Sequence, residues 1–442
     1  MVERDPDRIL GVLESWGVRL ELGRVENLLD HFGRPERTFS TILVAGTNGK
    51  GSTAALLASI VAAGAYRTGL FTSPHLESVE ERLRIDGVAI GRSALADLLR
   101  EILGNAETAG LEPPTYFEAL TLAGVLWFAR SEVDLAVFEV GMGGRLDATN
   151  SCSPSLSVVT EIGIDHSTQL GETLGAIARE KAGIFRPGVA ALSGATAAEA
   201  RDGLAAHAHE LGTPLQEVAD SIQRVSSEPR DHGQFVRVQT RAARYELELA
   251  LPGEHQLRNL LVAVAAAERL AAEGWSGLDR PAIEEGVRRC RWPGRLEKVV
   301  LPTGKTVWLD AAHNPQGAKA LAEFLTAIQG DFDLLFGILS DKDARAVLEA
   351  VSMTAARIVL TSPPSDRALD PETLRPWLPH REVQVEAERE KALEALLDGD
   401  APLVVCGSLY LVGWARTALR ERFGLPSRAS EALYPPDPQA QA

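Results

Sequence analysis

The segment Val44-Ala45-Gly46-Thr47-Asn48-Gly49-Lys50-Gly51-Ser52-Thr53 constrains this chain more than any other. The apolar run from Thr41 to Ala45 reads as a buried strand, and Ala54-Ala55-Leu56-Leu57-Ala58 reads as a helix. A strand, a glycine turn and a helix start together form an anion cradle. The turn N–H groups and the positive end of the helix dipole point at one spot, and Lys50 adds a full charge there. Such a cradle suits the phosphates of ATP or GTP. The general phosphate-loop pattern would require glycine at position 44 and a hydroxyl at position 51, where this chain has Val44 and Gly51. A second Gly-Lys-Thr, Gly304-Lys305-Thr306, lies between Pro302 and a short apolar run with no helix pattern behind it, and is read as a hairpin turn.

A chain of 442 residues exceeds one ordinary core, so two domains are expected. The net charge of -16 argues against nucleic acid or an anionic membrane as the main partner. An acidic protein that binds polyphosphate must concentrate positive charge locally or use a metal. Cys152, Cys290 and Cys406 show no metal-ligand spacing and cannot all pair, which points to a reduced, cytoplasmic setting. The charged start, Met1 to Asp5, has no apolar signal region, and no run approaches the roughly 20 apolar residues that span a bilayer.

Strand-like and helical runs alternate along the chain. The strands are expected at 42–45, 69–72, 135–140, 156–160, 307–310, 334–338, 357–361 and 402–406. Helical patterns fall at 93–103, 117–129, 257–272, 318–328 and 388–397. This alternation predicts an α/β fold of mostly parallel sheets with helices on both faces. Segments 234–240 and 245–251 alternate apolar and polar residues, and read as an antiparallel hairpin on one sheet edge. Trp292-Pro293-Gly294-Arg295 marks a boundary, giving an ATP-binding domain over 1–294 and a C-terminal domain over 295–425. The Pro-rich remainder, 426–442, is expected to be disordered.

In an open parallel sheet, ligands bind at the carboxyl ends of the strands. There the chain places Thr72-Ser73-Pro74-His75, then Glu139 ahead of Gly141-Met142-Gly143-Gly144-Arg145-Leu146-Asp147, then Gly163-Ile164-Asp165-His166. The hydroxyl of Ser73, the carboxylate of Glu139 and the imidazole of His166 thus converge beside the phosphates, a set able to hold Mg²⁺. Taken singly, each has a plainer reading as turn cap, ion-pair partner or packing histidine. In Glu180-Lys181-Ala182-Gly183-Ile184, Gly183 reads as a helix stop and Lys181 as an ordinary dipole partner in the last turn.

These residues resemble a known family. Gly46 to Ser52, Ser73-Pro74-His75-Leu76, Glu139 to Asn150, Glu180 to Ile184 and Asp310-Ala311-Ala312-His313-Asn314-Pro315 look like folylpolyglutamate synthase/dihydrofolate synthase, the folate branch of the Mur ligase superfamily. The likeness runs in order from about Leu22 to Val412. It implies an N-terminal P-loop ATPase domain and a smaller Rossmann-like C-terminal domain, with the active site between them. It also implies a reaction. ATP phosphorylates a folate or dihydropteroate carboxylate, L-glutamate attacks the acyl phosphate, and phosphate leaves.

Carried over by position, the resemblance makes Ser73, Glu139 and His166 the Mg²⁺ ligands and Lys181 a carbamylated lysine. Thr47, Asn48, Gly49, Lys50, Gly51 and Ser52, with Gln256 and Asn259, would bind ATP, and Arg295 and Asp310 would approach it from the far side with His313 beside them. Thr115, Tyr116, Phe117, Glu118, Leu146, Asp147 and Ala148 would lie near the pteroate, and Ser408 near the glutamate. A monomer is implied. Ala311 stands where the family often has glycine, which is tolerated if its φ is negative. The alternatives are a peptidoglycan-precursor amino-acid ligase of the Mur type and a nucleotide-binding regulatory protein. The latter lacks an Asn-Lys-x-Asp sequence here and leaves the second domain unexplained.

Overall fold

The computed structural model describes residues 5–14, 17, 19, 21–165, 170–327, 330–378, 382–425 and 432–434. Eight strands form the first sheet: β1 (Ser40–Ala45), β2 (Thr68–Phe71), β3 (Leu83–Ile85), β4 (Val88–Ala89), β5 (Leu135–Glu139), β6 (Leu156–Val159), β7 (Ala191–Ser193) and β8 (Leu215–Glu217). Their order is β4-β3-β2-β5-β1-β6-β7-β8, parallel from β2 to β8, with β3 and β4 antiparallel at one edge. Strand β1 is central, and its neighbours β5 and β6 come later in sequence on opposite sides. That is the switch point where an open sheet binds its ligand. Along β1, Leu43 and Ala45 enter one core and Ile42 and Val44 the other, so both faces are covered.

The later part of the chain builds a six-stranded sheet from β12 (Glu297–Val300), β13 (Thr306–Leu309), β14 (Phe332–Phe336), β15 (Ala355–Leu360), β16 (Val383–Val385) and β17 (Leu403–Cys406). The order is β12-β13-β17-β14-β15-β16, all parallel except β12. It has its own two cores, one on each face. The predicted Gly304–Thr306 turn does join the antiparallel pair β12 and β13. Lys305 there is structural: it is buried and donates to Gly399 O at 3.2 Å.

Three expectations need correction. The segments 234–240 and 245–251 do not extend the main sheet. They become β10 (Gly233–Thr240) and β11 (Arg244–Leu249) of a separate three-stranded antiparallel sheet with β9 (Ile222–Arg230). Strand β9 is almost wholly exposed, so it carries no apolar alternation to betray it. The helix before Gly183 does close, at Lys181, but its cap is Ala182 rather than Gly183. Gly183 sits in a short 3-10 turn, Ala182–Ile184, and is needed because a Cβ would lie 2.5 Å from Arg145 Cα. The tail expected to be disordered is not so at Leu433 and Tyr434. Both are buried, and Leu433 exchanges backbone hydrogen bonds with Gly87 and Arg291.

Candidate active site

The phosphate loop takes its shape from two glycines and from strand β6. Gly49 has a φ of +86°, and a Cβ there would lie 2.1 Å from Asn259 Oδ1. Gly46 is extended the other way, with its missing Cβ 1.9 Å from Thr160 Oγ1. Thr47 N donates to Glu161 O at 2.8 Å, and Thr160 Oγ1 donates to Asn48 O at 2.8 Å. The helix Lys50–Ala63 then begins without a side-chain cap, which leaves its first N–H groups for a ligand. Lys50 Nζ donates only as far as Thr47 O, at 3.2 Å, and among the described residues no carboxylate lies within 4.0 Å of it.

The expected partners gather round this loop. One cavity of about 370 Å³ is lined by Thr47, Asn48, Gly49, Lys50, Gly51 and Ser52 together with Ser73, Glu139, Lys181, Gln256, Asn259, Arg295, Asp310 and His313. Asn259 Nδ2 donates to Gln256 Oε1 at 2.9 Å, which orients both amides. Glu139, the last residue of β5, is buried, and its Oε2 accepts from Ser73 N at 3.0 Å. Burial pushes its pKa up, while Lys50, the Ser73 N–H and Arg295 pull it down.

Among the described residues no group of three His, Cys, Asp or Glu is placed to hold a metal, and His166 lies outside them. The donors present nevertheless fit a magnesium ion. A buried carboxylate with no cation within 4.0 Å among the described residues, beside a serine and a phosphate cradle, suits an ion that keeps most of its shell for water and phosphate oxygens. Lys181 is buried and turns inward rather than capping its own helix, with Nζ donating to Gly46 O at 2.7 Å. Burial and the nearby Lys50 lower its pKa to about 7 against the pull of Asp165, Asp147 and Glu180.

The far wall comes from the second sheet. Asp310 follows β13 and accepts from Leu296 N at 2.8 Å and Ala312 N at 2.9 Å, so it fixes the backbone beside Arg295. His313 contacts Ala311 O through Nδ1 at 2.8 Å, so the proton sits on Nδ1. Burial, above all, lowers the His313 pKa to about 4, and the ring is neutral. Ala311 is unstrained, since the positive-φ non-glycine residues described are Arg34, Ala65, Asp86, Glu132 and Leu296. Asn314 Nδ2 donates to Asn48 Oδ1 at 2.9 Å, and Asn48 Nδ2 donates to Gln316 Oε1 at 2.6 Å, so the loop touches the second sheet's unit directly.

A second cavity of about 460 Å³ adjoins the first. Thr115, Tyr116, Phe117, Glu118, Leu146, Asp147 and Ala148 line it from one side and Ser408 from the other. Two of its carboxylates already have partners. Glu118 completes a capping box with Thr115 and accepts two bonds from Arg24, at 3.0 and 2.9 Å. Asp147 accepts from Met142 N and Thr149 N at 2.9 and 3.0 Å, and so shapes the loop after β5. The cavity's apolar lining of Tyr116, Phe117, Met142 and Leu146 suits a flat aromatic acid. Six residues line both cavities: Ser73, Pro74, Gly141, Met142, Arg295 and His313.

Sequence reasoning did not single out Arg82, Lys342 or Arg19, all on the second cavity. Arg82 Nε donates to His75 Nδ1 at 3.0 Å, and its guanidinium lies 5.3 Å over the Tyr116 ring. Burial and Arg82 hold His75 neutral, with its pKa near 3. Lys342 Nζ donates to Asp165 Oδ1 at 2.9 Å across the cleft. Lys342 could have been found, because it follows the carboxyl end of β14. Arg82 and Arg19 carry no such signal.

A phosphate cradle opening directly into a pocket for an organic acid, closed by a second α/β unit, is the plan of an ATP-dependent ligase of the Mur type. Family models agree: the Mur ligase middle domain matches residues 44–267, and the Mur ligase glutamate ligase domain matches residues 294–409. The chain is 32% identical over 419 residues to the dihydrofolate synthase/folylpolyglutamate synthase of Bacillus subtilis, covering 92% of this chain and 96% of that protein. It therefore belongs to the folylpolyglutamate synthase/dihydrofolate synthase family, whose members are ATP-dependent ligases.

A probable bifunctional folylpolyglutamate synthase/dihydropteroate synthase of Haloferax volcanii is 36% identical over 406 residues, 89% of this chain, and the match spans 48% of that longer protein. Among solved structures, E. coli FolC in complex with DHPP and ADP superposes with a TM-score of 0.82 at 30% identity, covering 96% of this chain and 99% of that one. A bifunctional folylpolyglutamate synthase/dihydrofolate synthase with Mn, AMPPNP and L-glutamate bound gives 0.81 at 29% identity, covering 95% and 100%. No helix described here is long and apolar enough to cross a membrane.

Proposed function

We propose that this chain adds L-glutamate both to dihydropteroate and to reduced folates, through an acyl phosphate formed where the two cavities meet. The observation that carries this reading is the set of six residues common to both cavities. A phosphoryl group leaving the first cavity enters the second without crossing bulk water. A carboxylate is a poor acyl donor, because oxide cannot leave, and phosphorylation removes that obstacle. The transfer needs charge neutralisation and in-line placement more than covalent help from the protein.

Each residue takes a part in this reading. The amides of Thr47 to Ser52 fix the phosphates, Lys50 neutralises the charge that develops on them, and Gln256 and Asn259 contact the nucleotide. Ser73 and Glu139, with His166, hold Mg²⁺, which when bound supplies further charge neutralisation on the phosphates. Thr115 to Glu118 and Leu146 to Ala148 hold the pteroate, Ser408 the glutamate. Arg295 and Asp310 bring the second unit to the nucleotide, and neutral His313 lines the junction without adding charge. Lys181 carries a carbamate, which its low pKa favours. The domains divide at Gly294/Arg295. The enzyme works as a cytoplasmic monomer, in keeping with the free, buried Cys152, Cys290 and Cys406 and with two cavities built from one chain.

The test offers purified protein ATP, Mg²⁺ and L-glutamate with dihydropteroate or a reduced folate. ADP release is expected to require glutamate and either acceptor. Release that ignores both acceptors sinks the reading. Lys50→Ala is expected to keep the fold by circular dichroism and lose at least roughly 100-fold in turnover, since one stabilising cation at a transferring phosphoryl is worth about 3 kcal/mol or more. Near-normal turnover in that variant at saturating ATP overturns the assignment of Lys50.

A further inference from the structure

A buried ionic cluster joins the C-terminal helix Leu409–Phe423 to the loop that carries Ser73. Glu77 on that loop accepts from Arg416 Nη1 at 2.6 Å and from Thr417 Oγ1 at 3.0 Å, and it pairs with Arg420. The Arg416 and Glu77 side chains are only 5% and 6% exposed. Arg416 Nε also donates to both oxygens of Glu297, at 3.0 Å each. The guanidinium is thus bracketed by one carboxylate from each unit.

Both carboxylates lead to the reaction centre. Glu81 accepts from the N–H groups of Leu76, Glu77 and Ser78 at 3.0 Å each, and Arg82 holds His75 at 3.0 Å, so the backbone on the Glu77 side of the loop is fixed. At the loop's other end, Ser73 N donates to Glu139 Oε2. Glu297 Oε2 accepts from Gly294 N at 2.9 Å, next to Arg295, which lines both cavities. The helix presses on the loop so closely that a Cβ at Gly413 would lie 1.8 Å from Leu76 O. A loop tied at so many points moves as one piece with the helix that grips it.

We propose that Glu77 and Arg416 are positioning residues for the ligase reaction: their ion pair sets Ser73 and Glu139 in register with Arg295 when the two units are together. Neither touches substrate. The inference rests on the functional reading above. A buried ion pair contributes little net stability over apolar packing, whereas misplacing a reacting group by about 1 Å costs roughly 100-fold in rate. Register is therefore where this pair acts.

The test compares Glu77→Gln, Arg416→Met, the double variant and Thr417→Val. Glu77→Gln is expected to lower kcat roughly tenfold while the KM for ATP stays within about twofold, because the phosphate loop is untouched. The double variant should be no slower than Arg416→Met alone, since one device is broken once. In Arg416→Met the amides of Leu76, Glu77 and Ser78 should exchange with deuterium faster than in wild type. Thr417→Val removes one neutral donor and should lose roughly threefold in kcat, so it carries the test if the charged variants do not fold. An unchanged kcat, additive losses or unchanged exchange overturns the proposal. The exchange measurement needs no turnover, so its failure is distinct from a wild type that makes no product.

Discussion

At the scale of single residues, Lys181 departs furthest from what its neighbours in sequence suggest. A lysine in the last turn of a helix ordinarily reaches back to that turn's carbonyls. This one is buried and donates instead to Gly46 O in the phosphate loop, 135 positions away. Its folded pKa of about 7 lies below the value near 10.5 of a free lysine. Below pH 7 both folded and unfolded chains hold the proton, and the full cost of burying the charge applies. From about pH 7 to 10.5 the unfolded chain holds the proton more tightly, so stability rises with pH through that window. In CO₂-free buffer, wild type should gain stability relative to Lys181→Met across this range in denaturant melts, and parallel curves would contradict the burial. The same neutral amine is the form that takes up CO₂. With ¹³C-bicarbonate and Mg²⁺, a carbamate carbon signal is expected in wild type and not in Lys181→Met, together with loss of ligation in the variant. A wild type without that signal returns Lys181 to a structural hydrogen bond.

At the scale of elements, the helix after the phosphate loop shows why the fold was legible and where it was not. Lys50–Ala63 is buried almost all round, so its small residues carry no amphipathic stripe and are read as helix only from their place after the glycine turn. They let the helix Arg280–Arg289 cross at backbone contact: a Cβ on Gly286 would sit 2.4 Å from Ile60 Cα, and Ser59 Oγ donates to Gly286 O at 2.6 Å. Gly286→Ala is therefore expected to cost about 3 kcal/mol in denaturant unfolding and to weaken nucleotide binding, because the phosphate-loop helix must shift. A change below about 0.5 kcal/mol would mean the helices do not pack this way. The eight strands expected from the sequence match observed ones to within about two residues, because buried parallel strands are short, continuous apolar runs, whereas buried β3 and β7, three residues each, are too short to stand out. Exposed β9 was missed because it lacks such a run. Part of the candidate site is legible for a related reason: Ser73 and Glu139 sit at carboxyl ends of parallel strands, where the topology fixes their direction, whereas Asp310 and Ser408, beyond the ends of β13 and β17, come from the family resemblance alone. Partnerships such as Glu77 with Arg416, 339 positions apart, leave no local pattern in either segment.

At the scale of the molecule, the question is what state this structure represents. The two units keep separate buried cores and meet largely through polar groups, Asn48 with Asn314 and Gln316, Asp165 with Lys342 and Glu77 with Arg416, with Leu76 of the first unit packed against the second unit's core. Between them lie the two adjoining cavities and a third of about 770 Å³, lined in part by Arg258, Trp292, Trp308 and Phe324. A polar, cavity-rich interface is the kind that opens. Leu433 is pinned beside the proposed boundary at Gly294/Arg295, accepting from Arg291 N at 2.8 Å. From sequence alone, Arg295 and Asp310 could reach the nucleotide only after closure. Here they already line the same cavity as Lys50. The unliganded protein is expected to be more open on average, with the buried Glu77–Arg416 cluster the contact that opening must break. Small-angle scattering should show a smaller radius of gyration with Mg²⁺, a non-hydrolysable ATP analogue and a pteroate than without them. The liganded profile should match the one calculated from this structure. If the unliganded profile already matches, with occupancy of the liganded sample verified, the cleft is preformed. Water would then have to be excluded from the acyl phosphate by the bound substrates rather than by closure.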